Sequence, residues 1–392
     1  MKSDQYILTV NGGSSSVKLG LFLADRKILE ATVENIGSSA SLVTSSAKKL
    51  VTANNHLDAV KLLTSWLEPQ VNFGSIVAVG HRIVNGGPSY YQAQIATNNV
   101  LKELQKLTAF SPDHLPTELE LVKVFQSLLP QALQVLCFDT AFYHDLPSRS
   151  RILPIPRHLE AKGIRRYGFH GLSYAYILEE LRRVEGENIA DGRVIIAHLG
   201  NGASLTALEN SKPIDTTMSM TPASGIPMST RSGDLDPGLA LYLSRAEGYD
   251  AKRFSRMVNF ESGLLGISET TADMKKLLEI EAEDSRAKDA VEIFCYQVKK
   301  SIGGFAAALG GLDTLVFTGG IGENAPKIRS RICEELGFIG VTLDEARNRQ
   351  NARLISVDGA KVGAYVIHTE ESVTIAREAS QLLKMKGAHE PQ

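Results

Sequence analysis

The chain has 392 residues, of which 43% are hydrophobic and 22% are charged, and its formal net charge is −2. This length predicts two domains, and the composition is that of a globular protein. The small net charge excludes the strong field that attracts nucleic acid or an acidic membrane surface, so neither is expected as a partner.

The N-terminal segment and the cysteines indicate the cellular compartment of the protein. The apolar run within residues 1–13 is far too short for a signal peptide or a membrane span. Cys137, Cys295 and Cys333 share no CxxC spacing, and each lies among apolar residues. Buried free thiols are therefore favoured over a disulfide or a metal site. A cytoplasmic location is predicted.

The first motif is a Gly/Ser turn, residues 11–18 (NGGSSSVK), between two strand-like runs. Glycines let backbone N–H groups converge, serines add hydroxyl donors and lysine adds charge, so the turn is a candidate anion-binding site. It lacks the GxxxxGK[ST] spacing of a Walker A loop, and a plain tight hairpin is the alternative. The candidate ligand-binding residues of this turn are Asn11, Ser14, Ser16 and Lys18.

The first half of the chain continues with alternating helical and strand-like patterns. Apolar residues repeat at helical spacing over 57–67 and 115–129, and residues 75–80 form a β-branched run that ends in glycine. Arg82 and Asp139 each follow a strand-like run, and charged residues at strand ends face the ligand crevice in α/β folds. Surface capping is the alternative for each of them.

Two segments are predicted to lack regular structure. Residues 38–53, rich in serine and alanine, are expected to form a flexible excursion, and residues 147–156, with three prolines, are the best candidate linker. The predicted domains are therefore residues 1–146 together with 376–392, and residues 147–375. The final helix would return to the first domain.

The second half repeats the order of the first. Residues 194–208 read strand, Gly/Ser turn, strand, and residues 314–320 (TLVFTGG) echo the run at 75–80. Two similarities in the same order predict one α/β fold used twice, and chance resemblance between hairpins is the alternative. Two facing turns, one from each domain, would hold a polyphosphate in the cleft between them. The candidate residues of the second turn are His198, Gly200, Asn201 and Gly202.

Three further segments of the second half carry candidate chemistry. Residues 167–173 (YGFHGLS) set His170 between two glycines. Residues 215–237 have no strand or helix periodicity and present Arg231 among hydroxyl and acidic residues. A guanidinium binds carboxylate or phosphate through two parallel hydrogen bonds, so Arg231 is a candidate ligand for an anionic substrate. The alternative is that Arg231 forms a salt bridge with Asp234 or Asp236 on the surface.

The third is a Gly-rich turn, residues 318–326 (TGGIGENAP), which ends a strand and opens a helix. Its glycines permit close approach of a ligand, and its spacing is not GxGxxG, so NAD is disfavoured. Helix capping is the alternative role for Asn324. The candidate ligand-binding residues are Gly319, Gly320, Ile321, Gly322, Glu323 and Asn324.

Together these motifs resemble the acetate kinases and their relatives, the propionate and butyrate kinases, of the acetate and sugar kinase, Hsp70 and actin superfamily. The resemblance runs nearly end to end and in the order of the family. The eight motifs are residues 11–18, 81–87, 138–142, 167–173, 198–204, 215–237, 319–324 and 369–371.

The resemblance implies a fold of duplicated ribonuclease-H-like (actin-like ATPase) domains with a cleft between them, and reversible transfer of the ATP γ-phosphoryl group to acetate. It also implies a homodimer and Mg²⁺ (or Mn²⁺). The first and second turns, with His198, would line the phosphate path, and residues 319–324 would hold adenosine. The implied catalytic residues are Arg82, Asp139, His170 and Arg231; the implied metal-linked residues are Asn11, Asp139 and Glu371.

The sequence departs from the family pattern around the acyl group. The family pocket is matched at Val84, Phe169 and Pro222, but Asp113 stands where the family has leucine. A carboxylate in an apolar pocket is costly unless it is paired or hydrated. Either Asp113 turns outward or the acyl group is larger or more polar than acetyl. We expect acetate to remain a substrate with shifted selectivity, and propionate or butyrate is the alternative substrate.

Two other functions share this fold. A non-catalytic nucleotide-binding scaffold of the actin/Hsp70 kind would have no reason to present both Arg82 and Arg231. A sugar kinase would need a carboxylate base, and Asp139 could serve. A carboxylate acceptor needs no base at neutral pH, because it is already ionised.

Overall fold

The computed structural model describes residues 5–389, which belong to two compact units. Unit 1 comprises Met1–His144 and Glu370–Gln392, and unit 2 comprises Asp145–Thr369. The domain boundaries predicted at residues 146 and 375 stay a prediction, and residues 1–4 and 390–392 of the first predicted domain lie outside the described residues.

Unit 1 is built on an eight-stranded sheet. Its strands are β1 (Tyr6–Gly12), β2 (Val17–Leu23), β3 (Arg26–Glu34), β4 (Ser41–Thr44), β5 (Lys48–Leu50), β6 (Ile76–Ile83), β7 (Gln94–Ile95) and β8 (Leu133–Phe138). The order is β5-β4-β3-β2-β1-β6-β8-β7. Strands β1, β2 and β3 are antiparallel neighbours, β6 is parallel to β1, and β8 is parallel to β6. The helices are α1 (His56–Leu67), α2 (Asn98–Lys106) and α3 (Leu115–Leu128), with a final helix, α16 (Glu371–His389).

The prediction of a flexible excursion at residues 38–53 was wrong. Ser41–Thr44 and Lys48–Leu50 form an antiparallel hairpin that extends the sheet from β3. All three residues of β5 are exposed, so the segment carries no alternation of buried and exposed residues for a sequence pattern to reveal. Backbone pairing of β4 with β3 and of β5 with β4 orders the segment. Lys48 and Lys49 lie on the open edge strand, where charged side chains disfavour pairing with another chain.

Unit 2 holds a five-stranded sheet of order β11-β10-β9-β12-β13. Its strands are β9 (Val194–Leu199), β10 (Ala203–Glu209), β11 (Lys212–Thr216), β12 (Thr314–Thr318) and β13 (Gly363–Val366). Again three consecutive strands are antiparallel, and the fourth and fifth run parallel to the first. This repeats β3-β2-β1-β6-β8 of unit 1, which confirms the predicted duplication.

The helices of unit 2 are more numerous than the sequence predicted. They are α4 (Ser148–Arg151), α5 (Arg157–Glu160), α6 (Gly171–Glu185), α7 (Glu187–Ala190), α8 (Gly238–Ala246), α9 (Ala251–Phe260), α10 (Gly263–Ser268), α11 (Met274–Ile280), α12 (Ser285–Ala308), α13 (Gly319–Asn324), α14 (Pro326–Cys333) and α15 (Glu345–Arg349). The run α8–α11 was missed, and α4 lies within the predicted linker. Between β11 and α8 the chain forms the predicted long loop.

The cores lie where helices cover the sheets. In unit 1, α16 packs on β1, β6 and β8. A Cβ on Gly80 would lie 2.6 Å from Ile375 Cγ2, so glycine there lets helix and sheet close together. Cys137, Cys295 and Cys333 are buried free thiols, as predicted. Within residues 5–389 no helix is both long and apolar enough to cross a membrane.

Candidate active site

Arg82, the next-to-last residue of β6, is the centre of a charged cluster in unit 1. Because β6 and β8 pair in parallel with Arg82 opposite Cys137, Asp139 follows at the end of the neighbouring strand. Arg82 Nη2 donates to Asp139 Oδ2, Nε lies 3.8 Å from Glu371 Oε2, and Nη1 lies 3.9 Å from Glu118 Oε1. Burial lowers the pKa of Arg82, but the three carboxylates outweigh burial and raise it. The guanidinium is held in place and stays charged.

Sequence reasoning missed Glu118. It is buried in the first turn of α3, and its Oε2 accepts from the N–H of Val84 at 2.9 Å. Burial raises the pKa of Glu118 to about 8, against the opposing effects of Arg82 and the Val84 N–H. The available signal was its spacing, because Leu115 and Val122 lie three residues before and four after it on the apolar helix face.

Asn11 and Lys18 face each other across the β1–β2 hairpin. Asn11 Nδ2 donates to Glu371 Oε2 at 2.8 Å. Lys18 Nζ lies 3.0 Å from Glu30 Oε2 and 3.4 Å from Glu370 Oε1. Glu371 therefore joins Asn11 to Arg82, whereas its neighbour Glu370 contacts Lys18 in the hairpin.

Glu370 is a second residue whose role the sequence left open. Lys27 donates to its Oε2, and Ser372 Oγ donates to its Oε1 at 2.5 Å. Burial opposes ionisation, but Lys18, Lys27 and Ser372 hold the pKa of Glu370 below its usual value. Within the hairpin turn the Gly13 N–H donates to Ser16 O at 2.8 Å, while Ser14 is exposed at the tip.

The residues implied for Mg²⁺ or Mn²⁺ all lie around Arg82. Asn11 and Arg82 both contact the Glu371 carboxylate, and Asp139 accepts from the same guanidinium. Mg²⁺ prefers hard oxygen ligands, and kinases hold it by one or two carboxylates together with substrate phosphates and water. In the part of the chain that the structure describes, no group of three or more His, Cys, Asp or Glu residues could hold a metal. The donors fit a cation that arrives with a nucleotide.

Two histidines meet in unit 2. His170 precedes α6 in a left-handed backbone conformation (φ 61°, ψ 25°), which is uncommon outside glycine and often marks a functional site. Its Nδ1 lies 2.9 Å from Ser204 Oγ, and its ring stacks on that of His198 with centroids 4.3 Å apart. His198 Nδ1 lies 2.9 Å from Ser173 Oγ, which in turn lies 2.7 Å from Thr369 Oγ1. Serine hydroxyls thus fix the orientation of both rings.

Arg231 and His170 border the same space beside Gly202. A Cβ added to Gly202 would lie 3.0 Å from His170 Nε2 and 3.5 Å from Arg231 Nη1. Arg231 Nη1 also donates to Pro222 O at 3.3 Å. Because Gly202 has no side chain, an imidazole and a guanidinium can both approach its backbone closely, and such a pair suits an anion.

The loop that carries Arg231 is fixed by its other polar residues. Asp234 and Asp236 accept from backbone N–H groups of the loop and of the start of α8, at 2.8 and 2.6 Å. The Ser229 N–H donates to Asn201 O at 3.2 Å. Pro222 is buried and Asp215 lies at the end of β11. The aspartates therefore shape the loop, and the loop is tied to the β9–β10 turn.

The two Gly-rich turns of unit 2 adjoin, because β9 and β12 are parallel neighbours. Gly319 has φ 76°, and a Cβ there would lie 2.8 Å from Leu199 O. A Cβ on Gly200 would lie 3.7 Å from Gly320 N. The Gly319 N–H donates to Glu323 Oε1 at 2.9 Å. Only glycine allows this approach of one turn to the other.

Asn324 is the last residue of α13 rather than the N-cap of the next helix. Its Nδ2 donates back to Gly320 O at 3.0 Å, and α14 begins with Pro326 behind Ala325. Gly322 is buried, whereas Ile321 is half-buried. The predicted nucleotide-binding residues 319–324 therefore form one short helical turn with internal hydrogen bonds.

The residues predicted for the acyl pocket belong to both units. Val84 is buried in unit 1, and Phe169 and Pro222 are buried in unit 2. Asp113, which replaces the family leucine, is exposed. Its carboxylate is therefore hydrated, which avoids the cost of burial in an apolar pocket.

The family model described as "Acetokinase family" matches residues 6–377. The chain belongs to the acetokinase family. Its predicted resemblance, its duplicated actin-like fold and its assignment as a kinase are thereby confirmed. The acetate kinase of Rhodopseudomonas palustris strain TIE-1 is 40% identical over 391 residues, covering 96% of this chain and 98% of that protein. The propionate kinase of Citrobacter rodentium is 38% identical over 388 residues, covering 96% of each.

Solved structures of this family share the fold of the chain. A propionate kinase from Francisella tularensis has a TM-score of 0.90 at 35% identity, covering 96% of this chain and 99% of that one. The acetate kinase of Porphyromonas gingivalis has a TM-score of 0.86 at 34% identity, covering 97% and 100%. The likeness covers both units.

Proposed function

We propose that the protein transfers the γ-phosphoryl group of ATP reversibly to acetate and forms acetyl phosphate and ADP. The observation that carries this proposal is the convergence of His170 Nε2 and Arg231 Nη1 on the space beside Gly202. An imidazole nitrogen and a guanidinium that lie side by side suit the equatorial oxygens of a phosphoryl group in transfer, where charge must be neutralised. Membership of the acetokinase family supplies the reaction class.

The chemistry is governed by repulsion between two anions. The carboxylate attacks phosphorus in line, and no proton has to be removed from it. Arg82 binds the carboxylate of the acid, and Arg231 and His170 bind the transferring phosphoryl group. The contacts of Arg82 with Asp139, Glu118 and Glu371 support its assignment, because a guanidinium held on several sides loses little entropy when it binds a ligand.

The remaining predicted residues are proposed to bind the nucleotide and the metal. Mg²⁺ (or Mn²⁺) neutralises phosphate charge when bound, and Asn11, Asp139 and Glu371 would hold it. Residues 319–324 bind adenosine. The residues that line the phosphate path are Asn11, Ser14, Ser16, Lys18, His198, Gly200, Asn201 and Gly202.

Acetate is the proposed principal acid, and propionate is the second candidate. Val84, Phe169 and Pro222 are the proposed contacts of the acyl group, and each is buried. The side chain of Asp113 is exposed, so the place of the family leucine has no apolar side chain, and we expect the selectivity among short acids to be shifted while acetate remains a substrate. Relatives named propionate kinase, such as that of Citrobacter rodentium, support the second candidate.

One coupled assay tests these assignments. The protein with Mg²⁺ and ATP is given acetate, propionate, butyrate or glycolate, or in a separate reaction a hexose, and acyl phosphate is trapped as the hydroxamate while ADP is measured. We expect acetate to give hydroxamate and ADP in equal amounts. ADP release without any response to an acid would indicate the scaffold, and a response to sugars alone would indicate the sugar kinase. Either result would refute the proposal.

The proposed assembly is a homodimer in the cytoplasm. Helix α8 (GLALYLSRA) is rich in apolar residues, yet none of them is buried. Leu241 and Tyr242 are 53% and 62% exposed. An apolar helix face open to water favours a partner, and a second copy of this chain is the proposed one. The three free thiols support a reducing compartment.

A further inference from the structure

Arg329, in α14, is fully buried in unit 2 and uses its complete set of donors. Nε donates to Asn348 Oδ1 at 2.8 Å, and Nη1 donates to the carbonyls of Gly322 and Glu323 at 2.7 and 3.0 Å. Nη2 donates to Asn348 O and to Asn351 Oδ1, both at 2.7 Å. A guanidinium has five N–H bonds, so these five hydrogen bonds leave none unpaired.

Such a residue is costly for simple packing. Within residues 5–389, no carboxylate forms a hydrogen bond or an ion pair with Arg329, and all five acceptors are neutral carbonyl or amide oxygens. Burial lowers the pKa of Arg329 to about 10, although the nearby charge of Glu345 acts in the opposite direction. A buried charge without a directly paired counter-ion is expensive, and an apolar side chain of similar volume would fill the space at less cost. The five hydrogen bonds instead give Arg329 a role in holding the backbone around it.

That backbone is the turn predicted to bind adenosine. The last carbonyls of a helix have no partner within the helix, and in α13 Arg329 binds two of them, those of Gly322 and Glu323. At the other end of the same turn, Glu323 Oε1 accepts from the Gly319 N–H. Both ends of residues 319–324 are therefore fixed by side chains, and the contacts with Asn348 and Asn351 tie the turn to α15 and the residues behind it.

We propose that Arg329 is a positioning residue for the nucleotide, which it never touches. It pre-organises residues 319–324, so ATP and ADP bind without first ordering the turn. This inference rests on the proposed role of that turn. It assigns Arg329 an effect on nucleotide affinity and none on the acid.

The test compares Arg329→Lys with Arg331→Lys. Lysine keeps the charge but has three donors and cannot reach five acceptors. Arg331 lies on the same helix and pairs with Glu281 near the surface, so its replacement is the matched control. ADP binding with Mg²⁺ is measured by calorimetry, and KM is measured separately for ATP and acetate. We expect Arg329→Lys to weaken ADP and raise the KM for ATP about tenfold, since buried carbonyls lose their donors. Arg331→Lys should change neither.

A second variant with a smaller change keeps the test informative if Arg329→Lys does not fold. Asn351→Ala removes one acceptor of the five and should raise the KM for ATP by a smaller factor. If folded Arg329→Lys binds ADP as the unmodified protein does, or if both substrates lose affinity equally, the inference is wrong. Calorimetry needs no turnover, so a protein that binds ADP but phosphorylates no acid would refute the proposed function while still testing Arg329.

Discussion

The rings of His170 and His198 stack with centroids 4.3 Å apart and planes inclined by 23°. Each ring is also held through Nδ1 by a serine hydroxyl, that of Ser204 for His170 and that of Ser173 for His198. With Nδ1 engaged in this way, Nε2 is the atom of His170 that faces the space beside Gly202. The hydroxyl of Ser204 therefore orients the imidazole of His170 for its role in the proposed phosphoryl transfer.

Removal of that hydroxyl should lower the rate without weakening binding. Ser204→Ala loses the hydrogen bonds to His170 and to the buried hydroxyl of Tyr174. The bond to His170 is worth about 1 kcal/mol, so we expect kcat to fall roughly five- to tenfold. The KM for acetate should stay within about twofold if the loss is confined to the transition state. Ser301→Ala, which removes a hydroxyl bonded to Gln297 O in α12, is the control. Equal rates for the two variants would contradict the role of Ser204.

Filling the space beside Gly202 should abolish most activity. The Cβ of Gly202→Ala would lie 3.0 Å from His170 Nε2, in the volume proposed for the phosphoryl group. We expect kcat to fall by at least about a hundredfold, as for loss of a transition-state donor, with the melting temperature little changed. Gly303→Ala is the control, because outside its chain neighbours and the backbone of its own helix no atom lies within 4 Å of the added Cβ. In the middle of α12 it should stabilise the fold by about 0.5–1 kcal/mol.

The two arginines should differ in what their loss does to stability. Arg82→Ala and Arg231→Ala should each lower kcat/KM by about 10²–10³. Arg82→Ala also leaves the buried carboxylate of Asp139 without its cation, so we expect a loss of about 3–5 kcal/mol in the free energy of unfolding. Near-normal turnover of Arg231→Ala would remove the basis of the proposed mechanism, and an unchanged unfolding free energy of Arg82→Ala would contradict the charge cluster.

Glu118 should make stability fall as pH rises. Its pKa is about 8 in the folded protein against a usual 4.5, so between these values the folded chain keeps a proton that the unfolded chain releases. The contribution of Glu118 to the free energy of unfolding is complete below pH 4.5 and is lost as the pH rises through about 8. Between these values the free energy of unfolding falls by up to about 1.4 kcal/mol per pH unit. Glu118→Gln keeps an acceptor for the Val84 N–H and should flatten this slope in urea unfolding. Identical slopes for the two proteins would count against a protonated Glu118.

The exposed face of α8 should control assembly. Tyr242→Glu sets a charge on the proposed interface, and sedimentation velocity should then show a monomer where the unmodified protein is a dimer. Leu50→Glu alters a residue that is 82% exposed in unit 1 and should leave the dimer intact. A dimer that survives Tyr242→Glu would indicate that another surface makes the contact.

The local patterns of the sequence determined the framework. The β1–β2 and β9–β10 hairpins, the long loop before α8 and the duplicated strand order follow from glycine turns and short apolar runs, whose physics acts within a few residues. The same patterns carried the resemblance to the acetokinase family. Strand β5 and helix α8 were missed because none of their residues is buried, whereas α9, α10 and α11 were missed because each is only six to ten residues long, too short for a helical period to stand out.

Only the tertiary structure decided which charged groups meet. Glu118 lies thirty-six positions after Arg82, and Glu370 lies more than three hundred positions after Lys18, yet each pair is in contact. The same holds for Arg329 and its carbonyls, and for the exposure of Asp113. Burial and charge pairing depend on which elements the fold brings together. A sequence pattern with a period of two or 3.6 residues does not show which residues far apart in the chain come into contact. The sequence by itself therefore determined the elements and the family, and the folded chain decided the partners of each site residue.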